Sequence, residues 1–330
     1  MNESLSHPSR KVCFSQPERK LNIGLHAQTL AHPEGVVAGS EVTTQGLKKA
    51  LRMRPEVNEV TRYGPGNYGS VDHDDLDLLI IEGWDTTLSQ FIQRVRKHHP
   101  RVKILFYNLS LLGFENVVKL DVDAFLSNSK KVIPFLQRIA PTRFILLAVD
   151  HNQFKPVAPV AQYSHNVIYL GMFHPGKSPV IMKRILYEAL DFGLAIYGSG
   201  WNHHPDLKQF WQGKLPTGDI ALLYSSAKIV LGLTEDRQKA AGMINNRVFE
   251  ALSCGACFIS EYYQELEKLF GETIFFSCKT GDTGRHIEKL LSDASYRATR
   301  GASNREFIIQ HHTYEHRVQQ ILDFYREIRG

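Results

Sequence analysis

Short apolar runs alternate with segments whose apolar residues recur every three or four positions, and this alternation organises the chain from residue 21 onward. Residues 21–26, 77–82 and 102–107 read as strands, because they are short, apolar and bounded by turn-forming residues. Between them Leu88, Phe91, Ile92 and Val95 follow i, i+3, i+4, i+7, one buried face of a helix. Val132, Phe135, Leu136 and Ile139 repeat that spacing in a helix that stops at Pro141, and 144–149 follows as a strand. Residues 150–159 are rich in turn formers and read as a linker. The alternation then restarts: a strand at 166–170, a helix near 179–191, strands at 194–197 and 228–231, a helix near 245–253, and a strand at 256–259. A last helix presents Val318, Ile321, Leu322 and Tyr325 on one face. Two successive alternating blocks predict two α/β domains, each with a mainly parallel sheet. Parallel sheets bind ligands beyond the carboxyl ends of their strands, so the cleft between the domains is the default site.

Composition narrows this picture without changing it. The chain has 330 residues, 43% hydrophobic and 22% charged, which is a globular composition. No apolar run approaches the roughly 18 residues of a membrane helix, and residues 1–20 are polar, read as a flexible arm without an apolar secretion segment. The expectation is a cytoplasmic chain. With 39 basic and 34 acidic side chains, the net +5 is too mild to mark a nucleic-acid binder. The densest basic run, 94–103, reads as a solvated helix end; the other reading is a surface for an anionic acceptor or a peripheral membrane contact. Cys254 and Cys257 have zinc-like spacing, but a second ligand pair is missing from the pattern, which favours packed, reduced thiols.

Several segments carry candidate chemistry. Residues 171–178, from Gly171 through Lys177 to Ser178, fit the phosphate-loop pattern GxxxxGK[ST] after a strand, yet Pro179 removes the amide that would follow the serine. Asp121-Val-Asp123 has the DxD form of a metal-bound sugar nucleotide site, but it opens a strand instead of closing one and reads as polar loop. Gly39-Ser40-Glu41 opens a helix with Val42, Leu47, Ala50 and Leu51 as its apolar stripe; Ser40 suits the N-cap, and the glycine lets a phosphate approach the free amides. In 242–261, Val248, Phe249 and Leu252 cover one side of a short helix, with Arg247 and Glu250 elsewhere on its surface. Arg247 in the first turn can meet a diphosphate, and Glu250, one turn on, can accept both hydroxyls of a ribose; an intrahelical Arg247–Glu250 ion pair is the plain alternative.

The 242–261 segment resembles the donor-site helix of GT-B glycosyltransferases, and most closely the spore maturation protein CgeB-like transferases of the glycosyltransferase group 1 type. The resemblance extends to residues 123–129, 148–150, 169–171, 197–201, 223–231 and 312–317, most of the stretch from 120 to 320. It implies a GT-B architecture: α/β, two facing Rossmann-like domains with mainly parallel sheets and a cleft between them. The implied organisation is a flexible arm over 1–20, an acceptor domain over 21–149, a donor-binding domain over 150–312, and a terminal helix over 313–330 that crosses back to the first domain. It further implies that Glu250 binds the donor ribose, that Lys177 and Arg247 meet the diphosphate, and that Gly39, Ser40, Gly198, Trp201 and Asn246 complete the donor site. Related retaining enzymes carry a second glutamate eight positions before the ribose glutamate; here Gly242 stands there.

The function implied is transfer of a sugar from a nucleoside-diphosphate sugar, a UDP- or GDP-sugar, to an acceptor with no metal or other cofactor required. The acceptor class stays open among a glycan, a lipid-linked saccharide, a protein, a metabolite and a modified nucleic-acid base. An inverting course needs a general base; of His26, His32, Glu34, Glu41, Glu82 and Asp85, all at or beyond strand ends, His32 and Glu34 are the expected pair. The alternatives are an ATP- or GTP-dependent phosphotransferase using residues 171–178, a nucleotide-sugar epimerase, and a non-catalytic nucleic-acid-binding protein.

Overall fold

The computed structural model describes residues 19–27, 39–111, 113–173 and 176–329. The first block holds β1 (Leu21–Ala27), α1 (Gly39–Arg52), β2 (Val57–Tyr63), β3 (Leu78–Glu82), α2 (Leu88–His98), β4 (Lys103–Asn108), α3 (Phe114–Val117), β5 (Ala124–Ser127), α4 (Ile133–Leu136) and β6 (Thr142–Phe144). The second holds β7 (Val167–Leu170), α5 (Pro179–Leu186), β8 (Leu194–Tyr197), α6 (Ile220–Ser226), β9 (Ile229–Gly232), α7 (Asp236–Ala240), α8 (Asn246–Ser253), β10 (Cys257–Glu261), α9 (Gln264–Phe270), β11 (Phe275–Ser277), α10 (Asp282–Ser292), α11 (Ala294–His311) and α12 (Tyr314–Arg329).

The strands form two sheets, in the orders β2-β1-β3-β4-β5-β6 and β11-β10-β9-β7-β8, and every pairing is parallel. Central strands such as β3, β9 and β10 are buried along their whole length, as both faces of a parallel sheet are covered by helices. In each sheet the chain winds first to one side and then to the other. The reversal falls between β1 and β3 in the first sheet and between β7 and β9 in the second, and a crevice opens at the carboxyl ends of such strand pairs.

Two crossings join the halves. Val149 and Thr313 form an isolated parallel bridge, with Val149 N–H donating to His312 O at 3.0 Å and Tyr314 N–H to Val149 O at 3.3 Å. Beyond it α12 packs Tyr314, Val318, Ile321, Leu322, Phe324 and Tyr325 into the core under the six-stranded sheet. A Cβ on Gly46 of α1 would run into the Tyr314 ring, so this glycine allows the two helices to close up. Arg317, only 4% exposed, clamps the crossing by donating to Leu146 O and Leu147 O at 3.0 and 3.1 Å.

Several expectations need correction. The helix read over 132–139 is the single turn α4, and Phe135 and Ile139 lie exposed, because the chain has to rejoin the sheet at Thr142. The strand read over 144–149 is β6, which ends at Phe144; residues 145–148 leave the sheet edge for the crossing. The helix read from Ser40 includes Gly39, so Ser40 lies within its first turn instead of before it. Glu250, read as a surface residue, is buried.

Candidate active site

Where β7 and β9 part, the chain places Arg247 across the gap. Its Nε donates to Leu170 O at the end of β7, and Nη1 donates to Leu233 O just past β9 at 3.1 Å. The guanidinium carbon stands 4.9 Å from the centre of the buried Tyr169 ring, a cation–π distance. Lys177 closes on the same tyrosine, donating to its hydroxyl at 2.7 Å and to Met172 O. Burial alone would raise the Tyr169 phenol, but Lys177 and Arg247 beside it bring it below the usual tyrosine value. Two cations therefore converge on one point of the rim, and among the described residues no ion pair joins Arg247 to Glu250 or Lys177 to a carboxylate.

This arrangement explains two glycines. A Cβ on Gly171 would meet Arg247 Nη2 and, at 2.7 Å, the Tyr169 hydroxyl. Gly198, with φ +123°, packs its backbone on the Gly171 carbonyl where a side chain has no room. Trp201 is fully buried and does not line the cleft; its indole N–H donates to Gly171 O at 2.6 Å, so it shapes the loop from beneath.

The loops enclose a cavity of about 460 Å³, lined by Gly39 and Val42 of α1 on one side and by Gly171, Lys177, Gly198, Asn246, Arg247 and Glu250 on the other. That lies within the roughly 300–1,000 Å³ range of small-ligand sites. The first residue of α1 faces the first residue of α8: a Cβ on Gly39 would lie 3.8 Å from Asn246 Nδ2. Two helix N-termini thus point into the cavity, each with free amides and a positive dipole end. Glu250, one turn along α8, is 8% exposed. Burial pushes its carboxyl up to about 7, against the pull of Arg247 and of a hydrogen bond from Asn246. Residues with no role in the sequence reading also matter: Tyr169 as the seat of both cations, and Glu235 and Gln238 as further polar lining of the cavity. Tyr169 gave no signal because a strand aromatic reads as core.

The remaining candidates fall elsewhere. His32 and Glu34 lie outside the described residues, and of Ser40 only the backbone is described. His26 is fully buried where β1 and β3 part, with Nε2 2.8 Å from Tyr68 Oη and Nδ1 3.3 Å from Glu82 O. Burial would raise Asp85, but hydrogen bonds from His26 and Thr87 hold it below the ordinary carboxylate range. Glu41 is buried beside Arg62 at 3.6 Å, and Gly242 lies against Glu265, away from the cavity. Ser178 spends its hydroxyl capping α5, accepting from Ile181 N at 3.4 Å, which is not the metal-binding pose of a phosphate loop. Asp121 and Asp123 sit at the amino end of β5, paired with Arg96 at 3.2 and 2.9 Å. That pairing, with His98 3.5 Å from Asp72, also ties down the basic run. Cys254 and Cys257 are buried thiols pushed up by burial to about 12 and about 11. Among the described residues no helix is long and apolar enough to cross a membrane.

Residues 180–323 match the family model of glycosyl transferase-like domains. Among curated proteins, none matches the chain. Solved structures match over nearly the whole length. The DNA-modifying enzyme β-glucosyltransferase, determined with and without uridine diphosphoglucose, superposes with a TM-score of 0.67 at 14% identity, covering 93% of this chain and 99% of that one. HepE of Anabaena in complex with UDP-glucose gives 0.65 at 14% identity, covering 93% and 100%. Sucrose-phosphate synthase of Thermosynechococcus elongatus gives 0.61 at 13% identity, covering 94% and 99%. The fold is that of the GT-B glycosyltransferases, and the match to the glycosyl transferase-like family model falls on its second half.

Proposed function

We propose that this protein transfers a sugar from a UDP-sugar to an acceptor hydroxyl, with the donor in the cavity between α1 and α8 and no metal required. The observation that carries the reading is the pair of cations, Arg247 and Lys177, fixed on Tyr169 where β7 and β9 part and lining one cavity with the first residues of α1 and α8. In glycosyl transfer the anomeric carbon becomes positive while the leaving diphosphate gains negative charge. Preorganised donors aimed at that charge are the largest source of rate enhancement such a site can supply. Arg247 keeps part of its fork for the diphosphate, Lys177 keeps one of its three donors, and the amides of Gly39, Ser40 and Asn246 complete the cradle. Glu250 accepts the two ribose hydroxyls. UDP is preferred to GDP because two of the solved structures with this fold, HepE and the DNA-modifying β-glucosyltransferase, were determined with UDP-glucose. The motif order places the chain closest to the CgeB-like group, and His32 and Glu34 remain the proposed bases of an inverting course.

The test is a thermal-shift panel of UDP, GDP, CDP, dTDP, ADP and ATP, with and without magnesium, on wild type and Glu250→Ala. A ligand at a hundred times its dissociation constant adds about 2.7 kcal/mol of stability. The reading holds if UDP stabilises the wild type without metal and the variant much less. It fails if only ATP with magnesium acts and Glu250 is irrelevant.

A further inference from the structure

Two polar side chains of the cavity have no task in the reading above. Glu235 and Gln238 both line it; Glu235 immediately precedes α7 and Gln238 lies one turn on, each half-buried, while Asp236 and Arg237 between them are exposed. Among the described residues neither side chain meets a hydrogen-bond or ion-pair partner, and Glu235 does not cap α7. The helix itself is fixed at both ends. Asp236 N–H donates to Gly176 O at 3.0 Å, beside Lys177, and at the other end Ala241 O accepts from Ser129 Oγ and Ala240 O from Lys131 Nζ at 3.2 Å. Glu235 is thereby held next to the loop that carries Lys177, and α7 reaches from that loop to the first half of the chain.

What these two groups offer is hydroxyl recognition. A carboxylate only accepts, a side-chain amide both donates and accepts, and a sugar hydroxyl can answer either. Phosphate oxygens only accept, so Glu235 is no partner for the diphosphate that Lys177 and Arg247 attract. The sugar of a nucleotide sugar is bonded directly to that diphosphate, which brings it to the groups beside Lys177. The carboxylates among the described lining residues are Glu235 and Glu250. Glu250 takes the ribose in the reading above, which leaves Glu235 for the sugar. Gly242, with φ +69°, closes the turn after α7, and a Cβ there would meet Glu265 Cγ at 2.7 Å, so that position sends no side chain into the cavity. Nor does α7 bring a cation to the cavity: Arg237 is exposed, and Lys239 is paired with Asp236 at 2.8 Å. A sugar bearing its own carboxylate would therefore meet Glu235 as an uncompensated like charge, whereas a neutral sugar satisfies it.

We propose that Glu235 and Gln238 bind the hydroxyls of the donor sugar, and that the Glu235 carboxylate restricts the donor to an uncharged sugar. The inference rests on the transferase reading above. Calorimetry with UDP, UDP-glucose, UDP-galactose, UDP-N-acetylglucosamine and UDP-glucuronate tests it on wild type, Glu235→Gln, Glu235→Ala and Gln238→Ala. At least one neutral UDP-sugar binds the wild type about tenfold or more tightly than UDP-glucuronate does. Glu235→Gln keeps the size and removes the charge, and it narrows that preference to within about threefold. Glu235→Ala and Gln238→Ala each weaken the preferred neutral UDP-sugar about tenfold, while UDP alone stays within about twofold in every variant. The proposal falls if the wild type binds UDP-glucuronate as tightly as the neutral sugars, or if Glu235→Gln leaves the preference unchanged. It falls as well if UDP and UDP-sugar weaken alike in the alanine variants, which would assign the two side chains to the nucleotide or to the fold. If UDP binds the wild type and no neutral UDP-sugar does, this proposal alone is overturned. Failure of UDP itself to bind the wild type overturns the transferase reading together with this one.

Discussion

The two sheets reverse their winding order in the same way, yet the two reversal points are built from opposite chemistry. Between β7 and β9 stands Arg247, a cation anchored on carbonyls of both strand ends and open to a cavity. Between β1 and β3 stands His26, fully buried and tied to Tyr68 and Glu82. The first point is finished before any ligand arrives: its charges are positioned and its loops locked by Trp201 and two glycines. The first sheet instead closes its own reversal point with buried side chains bonded to one another. A rim that must stabilise developing charge gains from such rigidity.

The sharpest way to break this contrast is to remove each central side chain. Arg247→Ala takes a charged donor from two carbonyls, worth about 1.5–3 kcal/mol per charged hydrogen bond, and should also lower UDP-glucose affinity by more than about a hundredfold. Calorimetry together with the melting temperature reads both. His26→Leu should lower the melting temperature while leaving UDP-glucose affinity within about twofold; equal losses of affinity in the two variants would erase the distinction.

Next in size is Glu250. Its folded carboxyl titrates near 7, above the ordinary 4.5, so the neutral form is favoured on folding. Stability from this group is fully present below pH 4.5 and is lost as the pH rises through about 7. Ribose binding needs the carboxylate, so UDP-glucose affinity should climb about tenfold from pH 6 to pH 8. Glu250→Gln should flatten that rise, weaken binding at pH 8 and raise the melting temperature there. Gly171→Ala comes third: the new methyl displaces Arg247, costs about 1–3 kcal/mol of stability and weakens UDP-glucose binding. The smallest effect belongs to the Lys131–Glu265 ion pair that bridges the two halves at 2.8 Å. Lys131 is half exposed, so Lys131→Met should change stability by less than about 1 kcal/mol, a difference that chemical denaturation can bound.

How much of this was legible in the chain follows from what each element buries. α2 was plain because Leu88, Phe91, Ile92 and Val95 are all buried on one face. β2 was invisible: as an edge strand it buries only Val57, Val60 and Tyr63, which matches neither an alternating nor a continuous apolar pattern. α11 buries Gly301, Asn304 and Ile308, a set with too little apolar character to mark a face. In the site, Gly39, Lys177, Gly198, Asn246, Arg247 and Glu250 all come to one cavity, although 250 − 39 = 211 positions separate the first from the last. Trp201 was read into the same group through its neighbours in sequence and turned out to support the loop from below.

Periodicity, glycine placement and local capping are short-range properties, so the chain alone settles two α/β blocks, their parallel sheets and the helices that carry the charged candidates. Which carbonyls Arg247 would meet, and that Glu250 would be buried enough to titrate near neutrality, were decided by the packing of segments distant in sequence. Burial and hydrogen-bond geometry are properties of what surrounds a side chain, and those surroundings exist only once the sheets have formed and the two halves have closed on each other.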